Sequence, residues 1–324
     1  MLAAGDIGGT KTQLAIFDSS EIIYTKKYFN KNFPDFYSLF QTFLKDCPHR
    51  VTRVGLGIAG PIKNNQCKMS NLNWTIKKDQ LIKETCIENF CLLNDLEAYA
   101  YGLQTLKEED LFFISKNTKR EEGHIGLVAS GTGLGVAQLF WDGKKHNPIP
   151  TEAGHGDFSP KSEKEVHLLT FLYKNYGRAY YDQILSGDGL YHLYEFLNEF
   201  NHTPLSEEQK KNIEKENAAQ FIVEEAFNEK KEVAIETLNF FIEILGSKAG
   251  DLALHLLPKG GIYLGGGVTR KLKPLFKQSQ FTKYFTSKGK MTELLNSTPV
   301  ALILKETTPL EGAALFANEY FEKD

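Results

Sequence analysis

Two glycine-rich turns, each directly after an apolar strand-like run, constrain this chain more than any other feature. They read Gly5-Asp6-Ile7-Gly8-Gly9-Thr10-Lys11-Thr12 near the start and Gly131-Thr132-Gly133-Leu134-Gly135 far downstream. Glycine lets the backbone approach an anion, and the amide N–H groups of such turns form concavities that accept phosphate oxygens. Either turn alone is an ordinary hairpin connection. Together they suit a polyphosphate held from two sides. Asp6 sharpens the reading, because a carboxylate beside a phosphate repels it unless a cation lies between. A divalent metal is implied, most naturally Mg²⁺.

At 324 residues the chain has room for two domains of ordinary size, each with its own core. A hydrophobic content of 41%, a charged content of 24% and a net charge of -3 describe a globular protein without an extended basic face. Lys77-Lys78 and Lys271-Leu272-Lys273 are too short and scattered to track a nucleic-acid backbone, so no nucleic-acid partner is expected. Cys47, Cys67, Cys86 and Cys91 show no Cys-x-x-Cys spacing and read as reduced thiols. No secretory signal and no apolar run near the ~18 residues of a membrane span are visible, so a cytoplasmic protein without a membrane partner is expected.

Leu2–Ile7, Gln13–Phe17 and Glu21–Tyr28 read as successive strands. A helix over Pro34–Asp46, a strand over Val51–Ala59, a hairpin tip at Asn64-Asn65, a helix over Lys78–Glu88, a strand over Phe90–Leu93 and a helix over Leu96–Leu106 follow. The second half restarts in the same style, with strands at His124–Ser130, Leu134–Trp141 and Asn147–Pro150. Helices are expected over Glu163–Tyr176, Tyr180–Leu185, Gly189–Phe200, Glu207–Glu229 and Lys231–Leu257, then strands at Gly261–Leu264 and Val300–Leu304 and a helix over Pro309–Phe321. The order predicts an α/β protein whose two halves each open on a strand–glycine turn–strand hairpin and face one another across a cleft.

Gly55-Leu56-Gly57-Ile58-Ala59-Gly60 satisfies the dinucleotide pattern, with Asp79 at a fitting distance. That mechanism needs a helix starting inside the motif, and Pro61 with the polar Lys63-Asn64-Asn65 turn comes instead. The stretch reads as a strand of small residues packed closely on a neighbour. Asn94-Asp95 ends one apolar strand and opens a helix, where Asp is ordinarily a cap. At the carboxyl end of a central strand it is also placed to accept the proton of a hydroxyl attacking phosphorus. Thr151–Phe158 packs Glu152, His155 and Asp157 into a glycine-lined loop. The loop reads either as a polar surface segment or as a clamp on sugar hydroxyls. Gly265-Gly266-Gly267-Val268-Thr269 follows a strand, so that a base or ribose could lie on bare backbone with Thr269 capping the next helix.

Taken in order, GDIGGTKT, GIAGPI, MSNLNW, LLNDLEAYAYGL, GTGLGVA, TEAGHGDFSP, ILSGDGL and GIYLGGGV resemble the motifs of the bacterial ATP-dependent glucokinase family. That family is the non-zinc branch within the hexokinase, actin and heat-shock-protein ATPase superfamily. The resemblance covers nearly the whole chain. It implies a two-lobed ribonuclease-H-like, actin-like ATPase fold, each lobe a mixed sheet flanked by helices, with the active site in the cleft. The small lobe would hold residues 1–106 and 306–324, and the large lobe 107–305. It further implies that Asp95 is the catalytic base toward the sugar 6-hydroxyl, and that Asn94, Glu152, His155 and Asn71 bind sugar hydroxyls. Gly5, Asp6, Ile7, Gly8, Gly9 and Thr10 would serve one phosphate turn and Gly131, Thr132 and Gly133 the other. Asp6 would orient Mg²⁺ through water, and Gly265, Gly266 and Gly267 would face the adenosine.

The chain departs from the family's pattern at Asp182, which stands where a Glu is usual before Ser-Gly-x-Gly-Leu; the resemblance still implies that it binds a sugar hydroxyl, directly or through water, and the shorter side chain bears on sugar selectivity. Thr151 and Ala153 replace common glycines, and Lys11 is expected to be exposed. The absence of cysteine beyond Cys91 sets aside the zinc-binding branch. The expectation is therefore a glucokinase using ATP and Mg²⁺ at the entry to glycolysis, with the resemblance leaving a homodimer open. Its rivals are a kinase for another hexose, a non-catalytic sugar-sensing regulator, and a chaperone- or actin-like ATPase.

Overall fold

The structure is a computed structural model and describes residues 1–69, 72–215 and 218–322. Among them the strands are β1 (Leu2–Ile7), β2 (Lys11–Asp18), β3 (Glu21–Phe29), β4 (Arg53–Ile58), β5 (Ile62–Lys63), β6 (Gln66–Lys68) and β7 (Thr75–Lys77). They continue as β8 (Asn89–Asn94), β9 (Leu111–Phe113), β10 (Ile125–Ser130), β11 (Leu134–Trp141), β12 (His146–Pro150), β13 (Gly261–Gly265) and β14 (Val300–Ile303). The helices are α1 (Phe36–Asp46), α2 (Lys78–Thr85), α3 (Asp95–Gly102), α4 (Glu163–Tyr176), α5 (Gly187–Phe200), α6 (Glu207–Lys215) and α7 (Ala218–Glu224). After them come α8 (Glu232–Leu256), α9 (Gly267–Lys271), α10 (Lys273–Phe276), α11 (Phe281–Thr286), α12 (Thr292–Asn296) and α13 (Thr308–Phe321).

The chain forms two compact units. One comprises Met1–Asp110, His146–Pro150 and the segment from Lys305 onward; the other comprises Leu111–Lys145 and Thr151–Leu304.

In the first unit a mixed sheet runs β3-β2-β1-β4-β8. The pairs β1–β2 and β2–β3 are antiparallel, while β1–β4 and β4–β8 are parallel. Side chains alternate between faces with period 2. Ala3, Ile7, Leu14, Ile16, Val54, Leu56 and Ile58 pack with Phe36, Leu39, Phe40 and Phe43 of α1. Leu2, Ala4, Ala15, Phe17, Cys91 and Leu93 pack on the other side with Leu310, Ala313, Ala314 and Ala317 of α13. The strand Arg53–Ile58 therefore sits mid-sheet with small residues under a helix, and a Cβ on Gly55 would come within 2.5 Å of the Ala313 carbonyl oxygen. The expected hairpin tip at Asn64-Asn65 joins β5 to β6, both residues having positive φ (52° and 56°), as a two-residue turn of this hand requires.

In the second unit the sheet strands run β11-β10-β13-β14-β9, with β10–β13 and β13–β14 parallel. The long helix α8 is buried over much of its circumference and packs in one core with α5, α11 and the sheet.

Several sequence-based expectations shift. The expected helix over Tyr180–Leu185 is only a 3-10 turn, Tyr181–Gln183, and Ser186 just after it already caps α5. The expected helix over Glu207–Glu229 is not continuous: residues 216–217 lie outside those described, and Glu225–Glu229 is a π turn. Glu225 there is buried and accepts hydrogen bonds from Tyr194 and Lys231. The helix from Leu96 to Leu106 starts at Asp95 and tightens to 3-10 form after Gly102. Strand β9 has no counterpart in the sequence reading; three residues after an acidic 3-10 turn show no periodicity.

Candidate active site

In the first unit, parallel pairing aligns Ile7 of β1 with Ile58 of β4, and Ile58 with Asn94 of β8. The β1–β2 turn and the Asn94–Asp95 junction therefore open at the same end of one sheet, two strands apart, about 10 Å. Ligands of open α/β sheets bind at such carboxyl ends. Asp6 is half-buried beside the turn, opposite Gln13 of β2 and Gly57 of β4.

The turn is shaped by a residue the sequence reading missed. Asn30 is 1% exposed, and its Nδ2 donates to the carbonyls of Gly8 (2.8 Å) and Gly9 (3.2 Å). Its Oδ1 accepts from the Thr12 hydroxyl at 2.8 Å. A trans peptide sets each N–H opposite the preceding C=O. With both carbonyls drawn toward Asn30, the N–H groups of Gly9 and Thr10 face away from it, which is the polarity an anion needs. The only signal in the sequence was a short polar run, Asn30-Lys31-Asn32, after an edge strand, and that carries no spacing rule.

At the second junction the structure corrects the cap. Asn94, not Asp95, is the N-cap of α3: its Oδ1 accepts from the N–H groups of Leu96 (2.9 Å) and Glu97 (3.3 Å), while its Nδ2 donates to the Gly60 carbonyl at 3.1 Å. Asp95 is the first helical residue, half-buried, with Oδ1 accepting from the Leu96 N–H at 2.9 Å. A helix N-terminus favours negative charge. The nearby Cys67 thiol is pushed up to about 11, first by burial and then by the charge of Asp95. Asn71 lies outside the described residues.

In the second unit, Ala129 of β10 pairs with Gly265 of β13, so the turns after these strands also share one sheet edge. The Gly131 N–H bonds to the Gly133 carbonyl at 2.9 Å, closing the turn with Thr132 exposed at its tip. Gly266 has φ +90°, and a Cβ there would meet the Ser130 carbonyl oxygen at 2.0 Å, so this position admits only glycine. Gly267 has open space where its Cβ would be. Thr269 does not cap α9 as expected. The N-cap is Gly266, and Thr269 is fully buried one turn inside.

The Thr151–Phe158 loop is ordered from within. The Thr151 hydroxyl donates to the Val136 carbonyl and accepts from the Ala153 N–H, starting a 3-10 turn over Ala153–His155. Glu152 and His155 are exposed at its two ends. The His155 ring meets Tyr180 edge-on at 5.5 Å, and the Lys248 ammonium donates to the Ala153 carbonyl at 3.2 Å. Burial lowers the Lys248 pKa. Asp182 lies in the Tyr181–Gln183 turn, where its Oδ1 accepts from the Leu134 N–H at 2.6 Å. Lys11 is exposed over the Phe29 ring.

Among the described residues no group of three or more His, Cys, Asp or Glu side chains is placed to hold a metal ion, and no helix is long and apolar enough to cross a membrane. For Mg²⁺ bound with phosphates the donor set is a different one: a single carboxylate, phosphate oxygens and water. Asp6 fits that set.

Mixed sheets flanked by helices, with glycine turns at their carboxyl ends, define the actin-like ATPase fold of the sugar kinases. A glucokinase from an Antarctic psychrotroph has this fold at a TM-score of 0.83 and 28% identity, covering 98% of each chain. A ROK-family glucokinase from Streptomyces griseus, solved with glucose and AMPPNP, has it at a TM-score of 0.67 and 18% identity, covering 98% of this chain and 99% of the other. The glucokinase family model matches residues 3–320. The glucokinase of Trichormus variabilis is 36% identical over 337 residues, and that of Nostoc punctiforme 35% over 336, each covering 98% of both chains. The chain belongs to the glucokinase family.

Proposed function

We propose that this chain transfers the γ-phosphoryl group of ATP to the 6-hydroxyl of glucose, giving glucose 6-phosphate and ADP at the entry to glycolysis. The observation that carries this reading is Asp95. It places a carboxylate on the first residue of α3, at the carboxyl end of β8, on the same sheet edge as the β1–β2 turn. Asp95 accepts the hydroxyl proton as the oxygen attacks phosphorus. Phosphoryl transfer has a loose transition state, so the remaining work is positioning and charge stabilisation.

Asn94, Glu152 and His155 hold sugar hydroxyls; the exposure of Glu152 and His155 at the two ends of one short turn supports this. The N–H groups of Gly9 and Thr10 and the Gly131–Gly133 turn hold phosphate oxygens. Gly265–Gly267 admit the adenosine, and the open space beside Gly267 supports that role. Asp6 would hold Mg²⁺ through water, and the ion, when bound, neutralises charge on the phosphates. We assign the reaction to the cytoplasm.

A kinase for another hexose is the second reading. It is favoured by Asp182, whose Oδ1 is engaged by Leu134. A coupled ATP assay over glucose, mannose, fructose and glucosamine, with and without EDTA, tests both. Highest kcat/KM for glucose, abolished by EDTA and restored by excess Mg²⁺, is expected. A tenfold preference for another sugar would replace the substrate, and turnover of none would overturn the reading.

A further inference from the structure

We propose that Asp182 is a positioning residue for the nucleotide side of the reaction: through the Leu134 amide it holds the Gly131–Gly133 turn in shape. The inference rests on the kinase reading above and adds to it the device that fixes one of the two phosphate turns.

At 2.6 Å the Asp182 Oδ1 to Leu134 N contact is shorter than the ~2.9 Å typical of neutral N–H···O bonds, as a charge-assisted bond should be. Leu134 is the residue immediately after the turn, so its amide sets the direction in which the chain leaves it. Gly133 supplies a second, independent observation. Its φ lies outside the left-handed region, so its conformation does not require glycine. A Cβ at position 133 would instead lie 2.9 Å from Asp182 Oδ1 and, its two chain neighbours aside, meets no other residue's atoms within 4 Å. The missing side chain makes room for the carboxylate.

The other end of the turn is tied to the same segment, the Gly187 N–H donating to the Gly131 carbonyl at 2.9 Å. Residues 182–187 thus grip the turn at both ends. The segment is itself anchored. The Tyr181 N–H donates to the Gly156 carbonyl and the Phe158 N–H to the Ala179 carbonyl, both at 3.1 Å, and Arg178 pairs with Asp157 at 3.3 Å. The phosphate turn therefore rests, through Asp182, on the loop that carries Glu152 and His155.

The test is Asp182→Ala and Asp182→Asn in the full chain, with KM for ATP and for glucose, ADP affinity by calorimetry without sugar, and exchange of the Leu134 amide proton. Loss of a charged hydrogen bond predicts at least ~10-fold weaker ADP binding and a matching rise in ATP KM for Asp182→Ala, with glucose KM within ~3-fold and faster Leu134 exchange. Asp182→Asn keeps an acceptor oxygen but loses the charge, and its ADP affinity should fall between those of the wild type and Asp182→Ala. Should Asp182→Ala fail to fold, Asp182→Glu reads the same quantities, because the added methylene carries the carboxylate past the amide. A raised glucose KM with ADP affinity unchanged would overturn the proposal and give the carboxylate to the sugar; no change in either would overturn it too. If the wild type binds ADP but phosphorylates no hexose, the kinase reading fails and the ADP comparison still decides Asp182. If the wild type does not bind ADP, both fail.

Discussion

Asn30 shows how much of a glycine turn can depend on a side chain outside it. Its amide satisfies two carbonyls and its oxygen a buried hydroxyl. Asn30→Ala would leave the buried Thr12 hydroxyl and two half-buried carbonyls without this partner, at about 1–3 kcal/mol. Urea unfolding should register that loss, and ATP KM should rise by about tenfold while glucose KM stays near the wild-type value. An unchanged ATP KM would mean that the glycines hold the turn unaided.

A second residue-scale consequence concerns Lys288, whose side chain is 7% exposed and pairs with Asp251. Burial lowers its pKa from 10.5 to about 8, against the pull of Asp251 and with the nearby Lys161 adding to the drop. A lysine with a lower pKa folded than unfolded binds fewer protons in the folded state, so its contribution to stability rises with pH between about 8 and 10.5. Thermal melts of wild type and Lys288→Met across that range should converge or diverge accordingly: the wild type gains on the variant as pH rises. A constant difference would contradict the assignment.

Elements were legible where local chemistry marked their ends. The helix Glu163–Tyr176 follows Ser162, whose hydroxyl accepts from the Glu165 N–H, and stops at Gly177 with φ 73°. Both are signals a sequence displays. The 3-10 turn at Tyr181–Gln183 and the π turn at Glu225–Glu229 were not legible; each carries a bond to a partner distant in sequence, the Gly156 carbonyl for Tyr181 and the Tyr194 hydroxyl for Glu225. The packing of α13 on α3 was equally hidden. A Cβ on Gly312 would lie 1.8 Å from the Ala98 carbonyl oxygen, a backbone atom that cannot turn aside. Gly312→Ala should therefore push α3 and α13 apart, lowering stability by roughly 1–3 kcal/mol. Because α3 begins at Asp95, kcat should fall along with the melting temperature. Full activity in a destabilised variant would show that the displacement does not reach the helix start.

At the scale of the whole molecule, the sequence displayed the candidate motifs and hid what supports them. The glycine turns, Asn94-Asp95 and the Glu152–His155 loop were visible as motifs, and each lies at a strand end or a tight turn in the structure. What was invisible is the layer behind them: Asn30 beneath the first turn, Asp182 and Gly187 behind the second, and Lys248 against the Thr151–Phe158 loop. Such residues act by filling one position in three dimensions and follow no spacing along the chain. The placing of the cap on Asn94 has the same origin. Either residue type can cap a helix, and only the backbone shows that Asn94 takes the cap, leaving Asp95 one residue further in. That arrangement is the centre of the account. The most direct measurement is turnover of Asp95→Asn with glucose and MgATP beside its glucose affinity by calorimetry. A fall in kcat of at least ~100-fold with glucose affinity within ~3-fold is expected, whereas near-normal turnover would contradict it.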